Sequence, residues 1–271
     1  MTNPVPNFLA LTFYIVTGIL IAQRLAYGRS ATAGARIGTL SLVFGAIMLH
    51  AAALYPGLRL ETGLNLSLTT ACSLVAWIVA TLYFVASLYR PVDTLGIVVM
   101  PLAGVTLLVA WWWPSQHLIP VSSQWQAGHI VVSLLAYSLL CLAAIQSLLL
   151  LAQERGLKQK HPGGFMHALP PMETTESVMF QMIGLGFALL TLTVLSGVMF
   201  AETLFGKPFR FTHHIVLAVS AWVVYAILLF GRWHLGWRGR AAIRWTLGGF
   251  VLLLLAYFGS KFVLEVLLGR A

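Results

Sequence analysis

Charge is what this sequence has least of. Asp, Glu, Lys and Arg make up 8% of its 271 residues, where a soluble globular domain carries about 25%. Hydrophobic residues supply 59%, too much apolar surface for a water-soluble body, so the chain reads as an integral membrane protein. Cysteine is nearly absent. Cys72 and Cys141 lie in separate apolar stretches and form no CxxC pair and no CxxCH site for covalent haem. That excludes a thiol redox enzyme and a c-type cytochrome, and leaves both thiols as small hydrophobes. Acidic residues number only seven. No Ser-His-Asp set, HExxH, P-loop or glycine-rich dinucleotide turn is present, so no conventional catalytic activity is expected. No carboxylate stands clearly mid-membrane, against a proton-coupled carrier. The net charge of +9 comes without basic blocks interleaved with aromatics, so no nucleic-acid partner is expected. The opening MTNPVPNFLALTFYIVTGILIAQRL lacks a basic leader and a small-residue cleavage site. It reads as a first spanning helix instead of a signal peptide.

What is there in abundance is long hydrophobic runs. A spanning helix needs about 20 mainly apolar residues. Segments near 7–25, 36–55, 64–89, 94–112, 127–151, 178–200, 213–231 and 243–267 qualify. The expected fold is an all-α polytopic membrane protein, one transmembrane domain over 1–271 with eight spanning helices. The connector 152–177 is too short for a packed domain, and LPPMETTE within it is read as the start of a short surface helix. GLGFALLTLTVLSG, rich in small residues, suits close helix packing. Arg24, Arg29, Arg36, Arg90, Arg155, Lys158, Lys160, Arg232, Arg238, Arg240 and Arg244 belong to the odd-numbered connections. The other side holds Arg59, Lys207, Arg210, Lys261 and Arg270. That excess places the odd connections in the cytoplasm and both termini on the outer, periplasmic side. The turn GWRGR reads as structural, with Trp237 at the inner interface and Arg238 and Arg240 near lipid phosphates.

With this topology the histidines sort by side. His50, His117, His129, His213 and His214 gather at the outer face, while His161, His167 and His234 lie opposite. Three helices each bring an imidazole to one depth, and imidazole serves haem iron, zinc and copper alike. The neighbours favour a large flat ligand. Trp125, His129, Ser133 and Tyr137 recur every four residues and share one helix stripe. His213 shares a face with Leu217 and Ser220, while His214 projects nearer the side of Ala221 and Tyr225 and is not expected to be a ligand. Phe205, Phe209 and Phe211 crowd the loop that also carries Lys207 and Arg210, two cations able to meet propionates. The alternative is an interfacial aromatic belt with cations on lipid phosphate.

Four stretches carry a family resemblance: SSQWQAGHIVVSLLAYSLL, LPPMETTESVMFQMIGLGFALLTLTVLSGVMFA, THHIVLAVSAWVVYAILLFGRWHLGWRGRAA and LGGFVLLLLAYFGSKF. Together they cover roughly 120–262. In order and spacing they resemble the cytochrome c assembly protein family, haem-handling membrane proteins of c-type cytochrome biogenesis, and in particular its small eight-helix branch. The resemblance implies a multi-pass protein of a bacterial inner membrane, haem b as cofactor, and partners among the bilayer lipids and other biogenesis or membrane proteins. It implies a haem site at the outer face with His129 as an iron ligand. His50 resembles a helix histidine of the smaller branch. The signature loop departs from the pattern: AETLFGKPFRFT has neither Trp nor Asp. A second outer histidine beyond the last helix is missing too, which passes that coordinating role to His213. The alternative is a non-enzymatic scaffold, partner or small-molecule transporter that keeps the fold without haem.

The topology makes the first prediction. Single cysteines placed at Ser30, Lys160 and Gly236 should react with an impermeant maleimide only after intact cells are opened. Labelling of any two from outside sinks the assignment.

Overall fold

The computed structural model describes residues 4–27, 32–60, 63–90, 92–115, 117–119, 121, 123–158, 170–199 and 213–267. Among them are eight helices long and apolar enough to cross a membrane. These are α1 (Val5–Ala26), α2 (Ala33–Leu58), α3 (Leu68–Tyr89), α4 (Asp93–Trp112), α5 (Gln124–Lys158), α6 (Met172–Met199), α7 (His213–His234) and α8 (Arg240–Leu267). Helices are the expected solution, because hydrocarbon offers backbone N–H and C=O groups no outside partner.

The helices form two four-membered rings of the same connectivity. α1 packs on α2 and α4, and α3 closes the ring against the same two. α5 packs on α6 and α8, and α7 closes the second ring likewise. α3 meets α5 at the seam, and one continuous core runs through both rings, with Tyr14, Tyr83, Met100, Leu140, Met179 and Tyr225 fully buried. Since hydrocarbon outside is as apolar as the core, close packing and not water exclusion must drive this association. Small residues make it possible. A Cβ added at Gly186 would lie 2.8 Å from Leu140 Cγ, so the glycine-rich stretch of α6 does what its composition suggested.

Three boundaries differ from the sequence reading. α5 runs on to Lys158, 35 residues in all, about 52 Å of helix against a hydrocarbon layer of about 30 Å. Its projecting end is held by Glu154 and Lys158 at 2.7 Å, an i,i+4 pair. LPPMETTE starts no separate surface helix. It opens α6 itself, with Pro171 accepting the Thr175 N–H at 3.1 Å, a position where proline's missing donor costs nothing. Residues 59–65, assigned to a connection and the first turn of a helix, instead supply β1 (Arg59–Leu60) and β2 (Gly63–Asn65), which pair antiparallel with each other. β3 (Leu118–Ile119), in the connection between α4 and α5, adds to β2, giving a sheet of order β1-β2-β3. Where the chain leaves α2 and α4 the helical ladder ends, and pairing the connections satisfies their backbone groups.

Asn65 ties that sheet to its surroundings. Its Nδ2 donates to Gly57 O at 3.2 Å and Ser115 O at 3.1 Å. Its Oδ1 accepts from Ser67 N at 3.2 Å and His117 N at 2.9 Å. All the ordinary capacity of one buried amide is used. At the opposite face the GWRGR turn folds inward. Gly236 and Gly239 have φ of 65° and 56°, a region that glycine enters without Cβ strain. Trp237 stacks on Trp245 with centroids 5.5 Å apart and covers Gly231 closely. Arg232 bonds Glu176 at 2.9 Å and Trp237 O at 3.2 Å, and Arg240 bonds Glu154 at 2.8 Å. The turn is thus a packing element, and Arg240 is committed to a carboxylate instead of lipid phosphate.

Asn65→Leu should lower the midpoint of thermal unfolding in detergent, at a cost of about 2–4 kcal/mol for four bonds of roughly 1 kcal/mol each. A midpoint within a degree of wild type would show the hub to be dispensable. Gly231→Val must displace Trp237, whereas nothing stands within 4 Å of a Cβ at Gly184. Gly231→Val should therefore reduce folded yield sharply and Gly184→Val should not; equal yields would remove the packing role of Trp237.

Candidate functional site

The face that carries both termini gathers the start of α1, α3, α5 and α7, the ends of α2, α4, α6 and α8, and the small sheet. His129 stands just over one turn into α5. The helix begins with Gln126 N–H donating to Ser123 Oγ at 3.2 Å, a side-chain cap of the expected kind. His129 Nδ1 lies 2.8 Å from Ser196 Oγ near the end of α6, and Gly197 of the same helix faces the ring. The Ser196 hydroxyl has one proton, and it donates to Thr193 O at 3.1 Å. With that proton on Thr193 O, the Ser196 oxygen accepts from His129 Nδ1–H. That assignment puts the imidazole lone pair on Nε2, the atom a metal would take.

The helix stripe containing His129 does not form one wall. Successive members four residues apart drift by about 40°, since four residues turn 400°. Trp125 is two-thirds exposed at the helix start. Ser133 spends its hydroxyl on His129 O at 2.6 Å. Tyr137, two turns below His129, points at α8 and sits among Phe250, Tyr257 and Phe258, with centroids 5.6, 6.5 and 5.3 Å away. The upper stripe thus borders α6 and the lower stripe α8.

His50 is in a different situation. It is fully buried. Tyr14 OH lies 3.0 Å from its Nδ1 and Ser73 Oγ lies 2.9 Å from its Nε2. One nitrogen donates and the other accepts, and in this arrangement neither is turned towards a ligand. Polar groups buried in an apolar ring are retained only with such pairing, so the network links α1, α2 and α3 at one depth.

α7 departs from expectation as well. Its buried positions include Ala221, Tyr225 and Leu228. His214 precedes Ala221 by seven residues and Tyr225 by eleven, so it heads the buried face, while His213 is turned about 100° away, above Leu217 and Ser220. Both histidines are exposed at the helix start. His117 contributes backbone groups to the sheet, and its carbonyl accepts from Leu66 N at 3.0 Å. His234 lies at the other face, stacked on Phe230. Phe205, Lys207, Phe209, Arg210 and Phe211, with His161 and His167, lie outside the described residues. Among the described residues no three His, Cys, Asp or Glu side chains stand together as a metal site; a haem with two axial imidazoles requires only a pair.

Sequence reasoning missed Ser196, Tyr14 and Ser73, because a hydroxyl in an apolar helix usually bonds its own backbone. It also passed over Lys261 and Glu265, an i,i+4 pair at 3.5 Å with both side chains largely buried. Glu265 Oε2 accepts from Leu68 N at 2.8 Å, and Lys261 Nζ donates to Leu66 O. The end of α8 is thereby clamped to the start of α3, next to the Asn65 hub. The spacing of these two charges in an otherwise apolar helix was the available signal.

Residues 37–268 match the family model described as cytochrome C assembly protein. The chain is 33% identical over 270 residues to the inner membrane protein YpjD of Escherichia coli K12, covering 97% of this chain and 99% of that one. It is 26% identical over 227 residues to the cytochrome c biogenesis protein CcsA of Thermosynechococcus vestitus, covering 68% and 71% respectively. Protein HemX of Brevibacillus brevis is 22% identical over 188 residues, covering 68% and 69%. With the family match running from α2 through α8, this chain is a multi-pass inner membrane protein and belongs to the cytochrome c assembly protein family.

Proposed function

We propose that the protein binds haem b at the face carrying its termini and serves cytochrome c biogenesis or haem trafficking in the membrane. Family membership and the similarity to a cytochrome c biogenesis protein give the class of activity. The observation that carries the residue assignment is the Ser196 bond, which orients His129 and leaves the lone pair on Nε2. A ligating histidine held through its other nitrogen is the usual pattern of metal sites.

Bound haem would supply an iron that takes imidazole nitrogens and two carboxylates. His129 would hold the iron in this reading. His213 would be the second histidine to hold it, with His214 as the competing donor because it heads the buried face of α7. Trp125 and Ser133 would line the approach from α5, with Tyr137 towards its lower end. Phe209, Lys207 and Arg210 lie outside the described residues and are assigned by side-chain chemistry alone, the phenyl ring to the porphyrin and the two cations to its carboxylates. His50 joins the set only if its bonds to Tyr14 and Ser73 are given up, so its role as ligand belongs to a rearranged state. The face concerned is periplasmic in this proposal. A second reading, a scaffold or small-molecule transporter without haem, draws on that same His50 network, which as it stands is purely structural.

The test is optical and electron-spin-resonance spectroscopy on protein expressed with ample haem, for wild type and for Ala replacements of His50, His129, Ser196, His213 and His214. His129→Ala should lose haem or change its spin state. Ser196→Ala should weaken retention about 10-fold or more, the usual effect of removing such a supporting bond. His50→Ala should lower stability, since Tyr14 and Ser73 lose their partner, with haem per folded molecule unchanged. Unaltered haem in folded His129→Ala protein would defeat the ligand assignment. Wild type free of haem would favour the scaffold reading.

A further inference from the structure

An apolar groove with a cavity volume of about 460 Å³ lies across α3 between α4 and α8. Cys72 forms part of its floor, Val105 and Val109 of α4 form one wall, and Leu254, Phe258 and Phe262 of α8 form the other. The α8 residues recur every four positions, so they share a face. The groove follows the seam between the two helix rings, where α4 and α8 stand on either side of α3. It opens sideways, at the level of the spanning segments.

Depth and lining restrict what can enter. Trp112 and Trp113, 82% and 75% exposed at the end of α4, mark the membrane interface as such residues do. Val105 is seven residues earlier, about 10 Å deeper, so the groove occupies the outermost hydrocarbon of one leaflet. Its hydroxyls are already engaged: Thr69 donates to Trp113 O at 3.1 Å and Thr106 to Ala103 O at 3.0 Å. The nearby Lys261 ammonium is held by Leu66 O and Glu265. Water requires two or more polar partners and finds none, and a ligand recognised through a polar headgroup finds no donor. A spanning helix of a second copy is too wide: the whole cavity equals roughly one turn of a helix about 10 Å across. A flexible hydrocarbon chain has neither restriction.

The groove is also held open. Glu265 fixes the end of α8 to Leu68 N at the start of α3, and Asn65 holds Ser67 and Ser115 beside it. α8 contains two π-helical stretches, Leu255–Gly259 in the groove wall and Val263–Leu267 just beyond it, a conformation found frequently at functional sites. Since an unfilled groove forfeits dispersion contacts along its lining, occupancy is favoured.

We propose that this groove binds an acyl chain of a bilayer phospholipid, drawn from the leaflet on the side of the termini, as a resident lipid wedged between the two rings. The site is separate from the proposed haem ligands and does not depend on them.

The experiment reconstitutes the full-length protein in vesicles containing a phosphatidylethanolamine with a photoactivatable diazirine on its acyl chain, and maps crosslinks by mass spectrometry. Crosslinks on 68–72, 105–109 and 254–262 should exceed those on Phe8 and Leu9 severalfold. Those two residues are exposed on α1, where Phe8 lies against Trp111 near the end of α4. Val105→Trp should abolish the excess. A second readout needs no groove variant: in a Cys141→Ser background, Cys72 should react with a membrane-soluble maleimide several times more slowly with phospholipid than in lipid-free detergent. Crosslinks no denser than at Phe8 and Leu9, or Cys72 reactivity indifferent to phospholipid, would overturn the proposal. So would crosslinks joining two copies of the chain through the groove.

Discussion

Asn65 is the constraint on which the termini-side half of the molecule depends. A short strand between two spanning helices must satisfy its polar groups near a membrane surface, where each unmet bond is costly. One amide meets four backbone groups there, from the end of α2, the start of α3 and the α4–α5 connection. The sheet it stabilises contains β3, which precedes α5 in the chain by four residues. The position of His129 therefore depends on bonds made by a residue 64 places earlier. The clamp of Glu265 and Lys261 on residues 66–68 draws α8 into the same assembly. A buried ion pair by itself contributes little once desolvation is counted. Here the two side chains also bond backbone groups, which fixes where the end of α8 must lie.

The opposite face is built on different physics. Its ion pairs, Glu154 with Lys158 and Arg240 and Glu176 with Arg232, lie where α5, α6, α7 and α8 end or begin, and Trp237 fills the space that Gly231 leaves. These contacts join the ends of the second ring. The first ring relies on packing, on the buried Tyr14–His50–Ser73 network, and at this face on Arg24 bonded to Thr39 and Arg36 bonded to Ser87 O.

The two membrane histidines show how one residue type serves two purposes. His50 has both nitrogens engaged by side chains of other helices, which makes it a crosslink in the ring core. His129 has its Nδ1 oriented by a serine whose own proton is spent elsewhere, which makes it a directed donor. Sequence position near a helix end does not distinguish these cases. The difference lies in what neighbouring helices present at that depth.

The sequence by itself determined the class of the protein and most of its architecture. Scarce charge and eight apolar runs leave helices as the available spanning structure, since a closed barrel, the other structure that satisfies its backbone in hydrocarbon, needs alternating and not continuous apolar segments. Motifs from 120 to 262 were enough to recognise the family. The small sheet was not legible, because strands of two or three residues have no periodicity to detect. Nor was the face of α7 that turns inward: His213 and His214 differ by about 100° of helix rotation, and only packing against α6 and α8 selects which one heads the buried side. The stripe from Trp125 to Tyr137 lies within one helix, α5, yet it crosses from one neighbour to another as it winds. Periodicity is a property of a single helix and can be read along the chain. Which helix stands opposite, and so which groups each ring nitrogen meets, is decided by contacts between segments far apart in sequence.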